Sequence, residues 1–386
     1  AVTLAQHPER EPRLAAVRLL AKAGAGQAAR DALRLAQHDR DQRIALVAAA
    51  GLDRLDGRPS SLRARLAKPQ RTDERWLLYD AIGAARLVDP AAAVLLKAAA
   101  FTGPAGLRPK AAEAFGHAAR DDAVPALVKL LEQRRPWQIA IGAARGLAAT
   151  RAVTAIPPLI KALGKAAGRR RAEIARALAS LTGRSFGEMP THWERWWAAR
   201  GHRFRVPVAP PSRWERAPNG TGFFGVEIRT NAAVFLCDVS ASMVGKPLQR
   251  LQSELAGAVK RFPPGGRFNL VFFGDEVYPW ATKLQRVSKT ARSRALAHIH
   301  AQRTGGATNL GDALIFALDD AEVDTIVLLT DGLPTVGRFK HISELRDYFE
   351  RRNRVRMVEL HVICIGMRSS DLRDMAEMSG GRYVER

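Results

Sequence analysis

Residues 1–200 carry apolar side chains at the spacing of short amphipathic helices, each 10–14 residues long. Two segments show one apolar stripe at positions i, i+3, i+4 and i+7: Val124, Leu127, Val128 and Leu131 in the first, and Ile156, Leu159, Ile160 and Leu163 in the second. The two segments align position for position, with Lys129 and Lys161 in register. The pattern predicts an all-α first half.

A repeat runs through this half. The sequence Ala81-Ile-Gly-Ala-Ala-Arg86 recurs at Ala140–Arg145, and the amphipathic segments repeat about every 32 residues. A period of this length with two helices per unit predicts an α-solenoid of about five helix pairs over residues 1–200, with degraded pairs before residue 70. The units resemble short, Ala-rich HEAT-type repeats, which would make this half a scaffold with an extended binding surface.

The end of the first half is rich in tryptophan. Trp193, Trp196 and Trp197 stand at i, i+3 and i+4, so one helix face carries three indoles. We expect this helix to seal the end of the solenoid; the functional alternative is a stacking platform for bases or sugars. Residues 201–231 contain four prolines and Asn219-Gly-Thr-Gly222, which predicts an extended linker. Within it Trp214 and Phe223-Phe224 are expected to pack against a domain.

From residue 232 onwards the pattern changes to alternating strands and helices. Continuous apolar runs at 233–238, 268–273, 325–330 and 358–365 predict strands buried on both faces. Short strands are predicted near 277–280 and at Arg382-Tyr-Val. Helices are predicted at 288–301, 309–318, 342–353 and 369–378, besides an amphipathic one from Leu248 to Val259. The alternation predicts a doubly wound, Rossmann-like α/β domain over residues 232–386.

Candidate chemistry follows the first of these strands. Asp238, Ser240 and Ser242 end the run Val234-Phe-Leu-Cys and place one carboxylate and two hydroxyls at the carboxyl edge of the sheet. Ligands of open α/β sheets bind at that edge. Three hard oxygen ligands there predict a divalent cation, Mg²⁺ foremost, with Mn²⁺ or Ca²⁺ as alternatives.

The second half resembles a von Willebrand factor type A domain with a metal-ion-dependent adhesion site. The resemblance rests on Asp238-Val-Ser-Ala-Ser242, on Thr308 in Gly305-Gly-Ala-Thr-Asn-Leu, and on Asp331 in Leu328-Leu-Thr-Asp-Gly. It implies five metal-site residues: Asp238, Ser240, Ser242, Thr308 and Asp331. It also implies that the hydroxyls coordinate directly, that the carboxylates act largely through water, and that one position is left for a partner's Asp or Glu.

Enzyme chemistry is not expected. No His stands in a recognisable frame with Ser240 or Ser242, and His298 and His300, two apart in a predicted helix, make a poor metal pair. The loop Thr304-Gly-Gly-Ala-Thr-Asn lacks the Lys of a phosphate-binding loop. The protein is therefore expected to bind without catalysing.

Composition sharpens the choice of partner only partly. The net charge is +23, and residues 1–200 contain 34 basic and 18 acidic residues against 27 and 20 in the rest. An anionic partner would thus meet the first half, unless the charge reflects arginine-rich composition alone. Cys237 and Cys364 lie in apolar runs and are expected to be buried thiols. No apolar run reaches about 18 residues, so no membrane span is expected.

These observations favour a non-enzymatic interaction protein, similar to bacterial HEAT-repeat proteins with a type A domain. Its metal site would take an acidic side chain of a protein partner. The alternative is RNA binding of the kind seen in the Ro ribonucleoprotein family, which joins helical repeats to a type A domain. Service to a chaperone-like ATPase is a third possibility. The chain begins with Ala, which leaves the compartment open: secreted or periplasmic after signal removal, or cytoplasmic.

Overall fold

The computed structural model describes residues 1–23, 26–68, 71–133, 135–207 and 223–386. They form two compact units, a helical one and an α/β one. Each of the hydrophobic clusters in the described residues is drawn from one unit. The domain limits at 200, 231 and 232 stay predictions, and the linker residues Pro210, Pro211, Trp214, Pro218 and Asn219–Gly222 lie outside the described part of the chain.

The first half is helical, as predicted. Its described residues form twelve α-helices: α1 (Arg10–Ala23), α2 (Gln27–Ala36), α3 (Gln42–Asp56), α4 (Ser60–Leu66), α5 (Thr72–Ala85), α6 (Pro90–Thr102), α7 (Arg108–Ala119), α8 (Val124–Leu131), α9 (Trp137–Thr150), α10 (Ile156–Lys165), α11 (Gly168–Thr182) and α12 (Pro190–Arg200). The helices α1, α3, α5, α7 and α9 pack against one another in series and form one layer. The assignment to HEAT repeats stays a prediction.

The two predicted apolar stripes lie on helices α8 and α10, outside this layer, and are largely buried. Helices α8 and α10 begin at Val124 and Ile156, 32 residues apart, with Pro in the first turn of each. Pro is tolerated there because the first-turn N–H groups have no intrahelical acceptor. Seven of the eight stripe residues are buried and Val128 is half-buried, so burial of one face holds each short helix in place.

Small residues bring α7 and α9 into backbone contact. A Cβ atom added at Gly146 of α9 would lie 2.5 Å from the carbonyl oxygen of Ala112 in α7. At Gly142 the added atom would lie 2.5 Å from Pro109 Cα. No side chain fits in that space, so the glycine of the repeated Ala-Ile-Gly-Ala-Ala-Arg sequence sets how closely these helices approach.

The tryptophan-rich helix α12 packs into the helical core. Trp193 is fully buried and its indole N–H donates to the carbonyl oxygen of Gly187 at 2.9 Å. Trp196 and Trp197 are half-buried against the same cluster. Phe186 and Phe204 meet Trp196 with ring centroids 6.0 and 5.0 Å apart. The three indoles thus contact one another and the helical core, and the role of this helix in sealing a solenoid stays a prediction.

The second half is an α/β unit, as predicted. Its strands are β1 (Ala232–Asp238), β2 (Arg267–Phe273), β3 (Val277–Pro279), β4 (Gln285–Arg286), β5 (Thr325–Thr330), β6 (Glu359–Cys364) and β7 (Tyr383–Glu385). Its helices are α13 (Lys246–Arg261), α14 (Lys289–Ala301), α15 (Leu310–Asp319), α16 (Ile342–Arg356) and α17 (Ser370–Ser379). The strand β4 is the element that the sequence pattern missed; its two residues are exposed and carry no apolar signal.

The sheet has seven strands in the order β3-β2-β1-β5-β6-β7, with β4 also paired to β2. β1 runs parallel to β2 on one side and to β5 on the other. Alternate residues of β1 enter separate clusters on the two faces, Val234 and Leu236 on one and Phe235 and Cys237 on the other. This is the predicted doubly wound architecture, and the chain reverses its direction of growth at β1, where ligand crevices form.

Two further expectations are settled by burial. Phe223 and Phe224 are buried in the α/β unit, where Phe223 meets Phe235 with ring centroids 5.6 Å apart. Cys237 and Cys364 are free thiols with no exposed surface. Among the helices of the described ranges, none is both long and apolar enough to span a bilayer.

Candidate metal site

The site begins where β1 ends. Asp238 is the last residue of β1 and is fully buried, and the short turn after it carries Ser240, which is buried, and Ser242, which is exposed. The Ser240 backbone N–H donates to Asp238 Oδ1 at 2.8 Å. This bond bends the chain back over the carboxylate, so the two serine side chains project at the carboxyl edge of the sheet.

The neighbouring strand supplies the second partner of Asp238. Thr330, the last residue of β5, donates its hydroxyl to Asp238 Oδ2 at 2.6 Å. Burial raises the pKa of Asp238, while the bonds from Ser240 and Thr330 act in the opposite direction. Thr330 was missed by the sequence analysis. The sequence feature that could have revealed it is a polar residue at the end of an apolar strand predicted beside β1.

Asp331 is hydrogen-bonded to Ser242, which in turn contacts Ser240. The Ser242 hydroxyl donates to Asp331 Oδ1 at 2.9 Å, and the oxygens of Ser240 and Ser242 are 3.2 Å apart. Asp331 follows β5 directly, and β5 lies next to β1. The sheet order thus brings together two motifs that are far apart in the chain.

Thr308 reaches the same edge on a loop. Its backbone N–H donates to Thr335 Oγ1 at 2.9 Å, and its side chain is buried. A Cβ atom added at Gly332 would lie 3.5 Å from Thr308 Oγ1, so this hydroxyl lies against the residue that follows Asp331. The loop is tied to the serine turn, because Ala241 N–H donates to the carbonyl oxygen of Gly306 at 3.1 Å.

A carboxylate outside the predicted set holds the Thr308 loop. Asp275, two residues after β2, accepts from the backbone N–H of Ala307 at 2.5 Å, and its carbonyl oxygen accepts from Asn309 Nδ2 at 3.1 Å. A side chain at Gly306 would clash with the Asp275 carboxylate, and Gly306 has a positive φ of 74°. Gly306 therefore allows the loop to pass over Asp275.

All five predicted residues accordingly meet at the carboxyl ends of β1 and β5. Hydrogen bonds join Asp238, Ser240, Ser242 and Asp331, and the contact with Gly332 places Thr308 beside them. Their side chains offer carboxylate and hydroxyl oxygens, the hard ligand atoms that suit Mg²⁺ or Ca²⁺. Within the described ranges no group of three or more His, Cys, Asp or Glu side chains stands in a metal-binding arrangement.

Comparison with known proteins agrees with this geometry. A family model described as the von Willebrand factor type A domain matches residues 231–385. These residues form a von Willebrand factor type A domain. The type A domain begins one residue before β1 and ends in β7, so it contains the whole sheet and all five predicted metal-site residues.

The relatives match through the type A domain and share a small part of their length with this chain. Inter alpha-trypsin inhibitor, heavy chain 4 from Mus musculus is 31% identical over 116 residues, which are 27% of this chain and 12% of that protein. The human von Willebrand factor A domain-containing protein 3A is 26% identical over 166 residues, 42% of this chain and 14% of that protein. A match of this extent bears on the domain and leaves the remaining parts of those proteins aside.

Among solved structures, the von Willebrand factor type A protein from Catenulispora acidiphila matches with a TM-score of 0.37 and 18% identity. The match covers 40% of this chain and 38% of that one. Proximal thread matrix protein 1 from the mussel byssus matches with a TM-score of 0.33 and 20% identity, over 40% of this chain and 41% of that one.

Two exposed apolar side chains, Val244 and Leu333, follow candidate site residues in the type A domain; we call them the apolar rim. Val244, two residues after Ser242, exposes 67% of its surface, and Leu333, two residues after Asp331, exposes 40%. Both are large apolar side chains that lie close in the chain to Ser242 and Asp331, the two site residues with accessible surface. Exposed apolar side chains beside a polar centre are typical of protein interaction surfaces.

Proposed function

We propose that the protein is a non-enzymatic interaction protein whose type A domain holds a divalent cation, Mg²⁺ foremost, and through it an acidic side chain of a partner protein. The observation that carries the proposal is the oxygen cluster of Ser240, Ser242 and Asp331, with oxygens 3.2 and 2.9 Å apart at the open edge of the sheet. Ser240, Ser242 and Thr308 would bind the ion directly, and Asp238 and Asp331 would complete the set.

The ion would supply positive charge for the partner's carboxylate. Neutral hydroxyl ligands leave that charge largely uncancelled, and the burial of Asp238 and Thr308 confines the approach to the side where Ser242 and Asp331 are accessible. Val244 and Leu333 flank that side. We therefore expect the partner's Asp or Glu to be bordered by apolar residues, since the rim buries apolar surface on binding.

The protein's own residues explain why we propose binding and not catalysis. The two serine hydroxyls are engaged with each other and with Asp331, an arrangement that orients oxygens towards a cation. A serine nucleophile is usually activated by a His or an amine, and the hydrogen bonds that the described residues make to these two hydroxyls include neither. The pairing therefore supports a docking role for the type A domain.

Metal binding is tested first, by titration calorimetry with Mg²⁺ and Mn²⁺. We expect Asp331→Ala to weaken ion binding at least about tenfold, as expected for a group that touches or orients the ion. Asp319→Ala is the matched control, because Asp319 is an exposed carboxylate at the end of α15 with Arg352 as its partner. Equal affinity of Asp331→Ala and the unchanged protein would contradict the proposal.

Partner chemistry is tested by selection from a random displayed peptide library in Mg²⁺ with elution by EDTA. The proposal expects enriched peptides to contain Asp or Glu next to apolar residues and to be lost on Asp331→Ala. Selection of the same peptides in EDTA would refute a metal-mediated contact. A parallel measurement of copurified nucleic acid tests the RNA-binding alternative, which would show retained RNA at moderate salt.

A further inference from the structure

A groove runs across the first four helices of the layer formed by α1, α3, α5, α7 and α9. It has a volume of about 640 Å³, within the range of about 300–1,000 Å³ that is usual for ligand sites. Its walls come from α1, α3, α5 and α7 and from Arg86, which follows α5 directly. One face of four successive helices therefore builds one continuous surface.

Positive charge dominates the walls of this groove. Six basic residues line it: Arg18, Lys22, Arg43, Arg54, Arg86 and Lys110. Two acidic residues line it as well, and Lys110 pairs with both, at 2.7 Å from Asp80 and 3.3 Å from Glu113. The lining therefore has four more basic than acidic residues, six against two.

His117 responds to this excess. The pKa of His117 is lowered to about 4, mainly by burial; Glu113 opposes this shift, and the charges of Arg86, Arg120 and Lys110 add to it. A neutral imidazole at the groove wall, held neutral partly by neighbouring cations, is consistent with a positive potential in the groove.

The floor of the groove is apolar. Leu46, Val47 and Ala50 of α3 and Leu77 and Ala81 of α5 line it between the basic residues. A ligand that paired only with the basic residues would leave this apolar floor exposed to water. The lining therefore fits a ligand with both carboxylates and aliphatic groups, which is the chemistry of an acidic peptide with interspersed apolar residues.

We propose that this groove docks a peptide segment of a partner protein in which carboxylates alternate with aliphatic side chains. A single-stranded nucleic acid would match the charge, but it also needs aromatic side chains for base stacking. Among the lining residues that the structure describes there is no Phe, Tyr or Trp. Aliphatic residues on the floor favour the peptide.

The test uses the full-length chain in EDTA, so that the cation site of the type A domain contributes nothing. Fluorescence anisotropy measures binding of three labelled probes of equal length: a Glu/Leu peptide, a Glu/Ser peptide and a single-stranded oligonucleotide. We expect the Glu/Leu peptide to bind at least about fivefold more tightly than either of the others.

The variant is Lys22→Glu with Arg86→Glu, two exposed cations at different walls of the groove. Its matched control is Lys97→Glu with Lys161→Glu, two exposed cations on α6 and α10, outside the groove. The groove variant should lose at least about tenfold in affinity for the Glu/Leu peptide and the control less than about twofold. Circular dichroism and a thermal melt establish that both variants are folded.

Several outcomes would overturn the proposal. Equal losses in the two variants would show that net charge alone attracts the peptide. Tighter binding of the oligonucleotide, or equal binding of the Glu/Leu and Glu/Ser peptides, would show that the apolar floor takes no part. Absence of measurable peptide binding would exclude the groove as a docking site of this kind.

Discussion

At the scale of single residues, Thr330 has the most specific role among the residues outside the five predicted metal-site residues. Its hydroxyl connects β5 to the carboxylate that ends β1, at 2.6 Å. Its backbone neighbour Gly332 donates back to the same hydroxyl at 3.1 Å, which fixes the turn before the open edge. A buried Asp238 without this donor would keep one carboxylate oxygen poorly satisfied, and its orientation towards the site would loosen.

Thr330→Val should therefore lower Mg²⁺ affinity about tenfold, the effect expected when a partner of a metal-site residue is removed. Valine keeps the β-branched shape that the strand buries. Thr325→Val is the control, because Thr325 is equally buried at the other end of β5 and donates to Asp324. Calorimetric titration of both variants measures the difference; similar Mg²⁺ affinities would contradict the role given to Thr330.

The two thiols give a second test at this scale. Burial raises the pKa of Cys237 and of Cys364, so neither forms the reactive thiolate at neutral pH. We expect the native protein to show almost no reaction with a thiol reagent and the unfolded protein to react at two positions. Rapid reaction of the folded protein would show that the sheet opens locally at β1 or β6.

At the scale of elements, close helix contacts depend on residues without side chains. The α7–α9 contact has no room at Gly146 for a Cβ atom, whereas Gly164 of α10 has only Pro190 Cβ nearby, at 4.0 Å. The two glycines thus have opposite roles. One is required by packing, and the other only lowers the helix propensity of an exposed position.

Gly146→Ala should accordingly destabilise the helical unit by about 1–3 kcal/mol through overpacking. Gly164→Ala should leave its stability unchanged or raise it by up to about 1 kcal/mol. Urea unfolding followed by circular dichroism measures both. The packing interpretation fails if the two substitutions have the same effect.

His117 makes the stability of helix α7 depend on pH. Its folded-state pKa of about 4 lies below the ordinary value of 6.5, mainly because of burial. Between these values the unfolded chain binds a proton that the folded chain does not, so stability falls as pH falls through this window.

Between pH 7 and pH 5 the His117→Gln variant should lose about 2 kcal/mol less of its free energy of unfolding than the unchanged protein does. His192→Gln, at an exposed position, is the control and should keep the original pH dependence. Urea unfolding at the two pH values provides the measurement. An unchanged pH dependence in His117→Gln would place the acid sensitivity elsewhere.

At the scale of the whole molecule, the fold class followed from the sequence because buried parallel strands appear as continuous apolar runs. The five candidate metal-site residues came from the resemblance to type A domains, and their metal-binding role stays a prediction. The limits of these strands differ from the predicted ones by at most one residue at each end, as in β1, predicted at 233–238 and observed from Ala232. Asp275 and β4 could not be predicted in this way. Their positions depend on strand order and on backbone pairing to β2, which leave no periodic pattern in the chain.

Separate cores lead to a prediction for the unfolding of the full chain. A cation that binds the folded type A domain stabilises it by about 2.7 kcal/mol at a concentration 100 times the Kd. Scanning calorimetry with and without Mg²⁺ should show a shift in the transition of the α/β unit and none in that of the helical unit. Asp331→Ala should abolish the shift; a shift that persists in this variant would place the ion elsewhere.

The oxygen-only composition of the site has a consequence for competition among ions. Thiolates and imidazoles hold zinc and copper far more tightly than alcohols do, and they are absent from the predicted ligand set. Without such ligands, trace metals would have little advantage over the abundant Mg²⁺ and Ca²⁺ ions. The site would not be subject to oxidation, and its loading would rise and fall with the surrounding ion concentration. Attachment to a partner would then be adjustable by ionic conditions alone, with no change in the amount of protein.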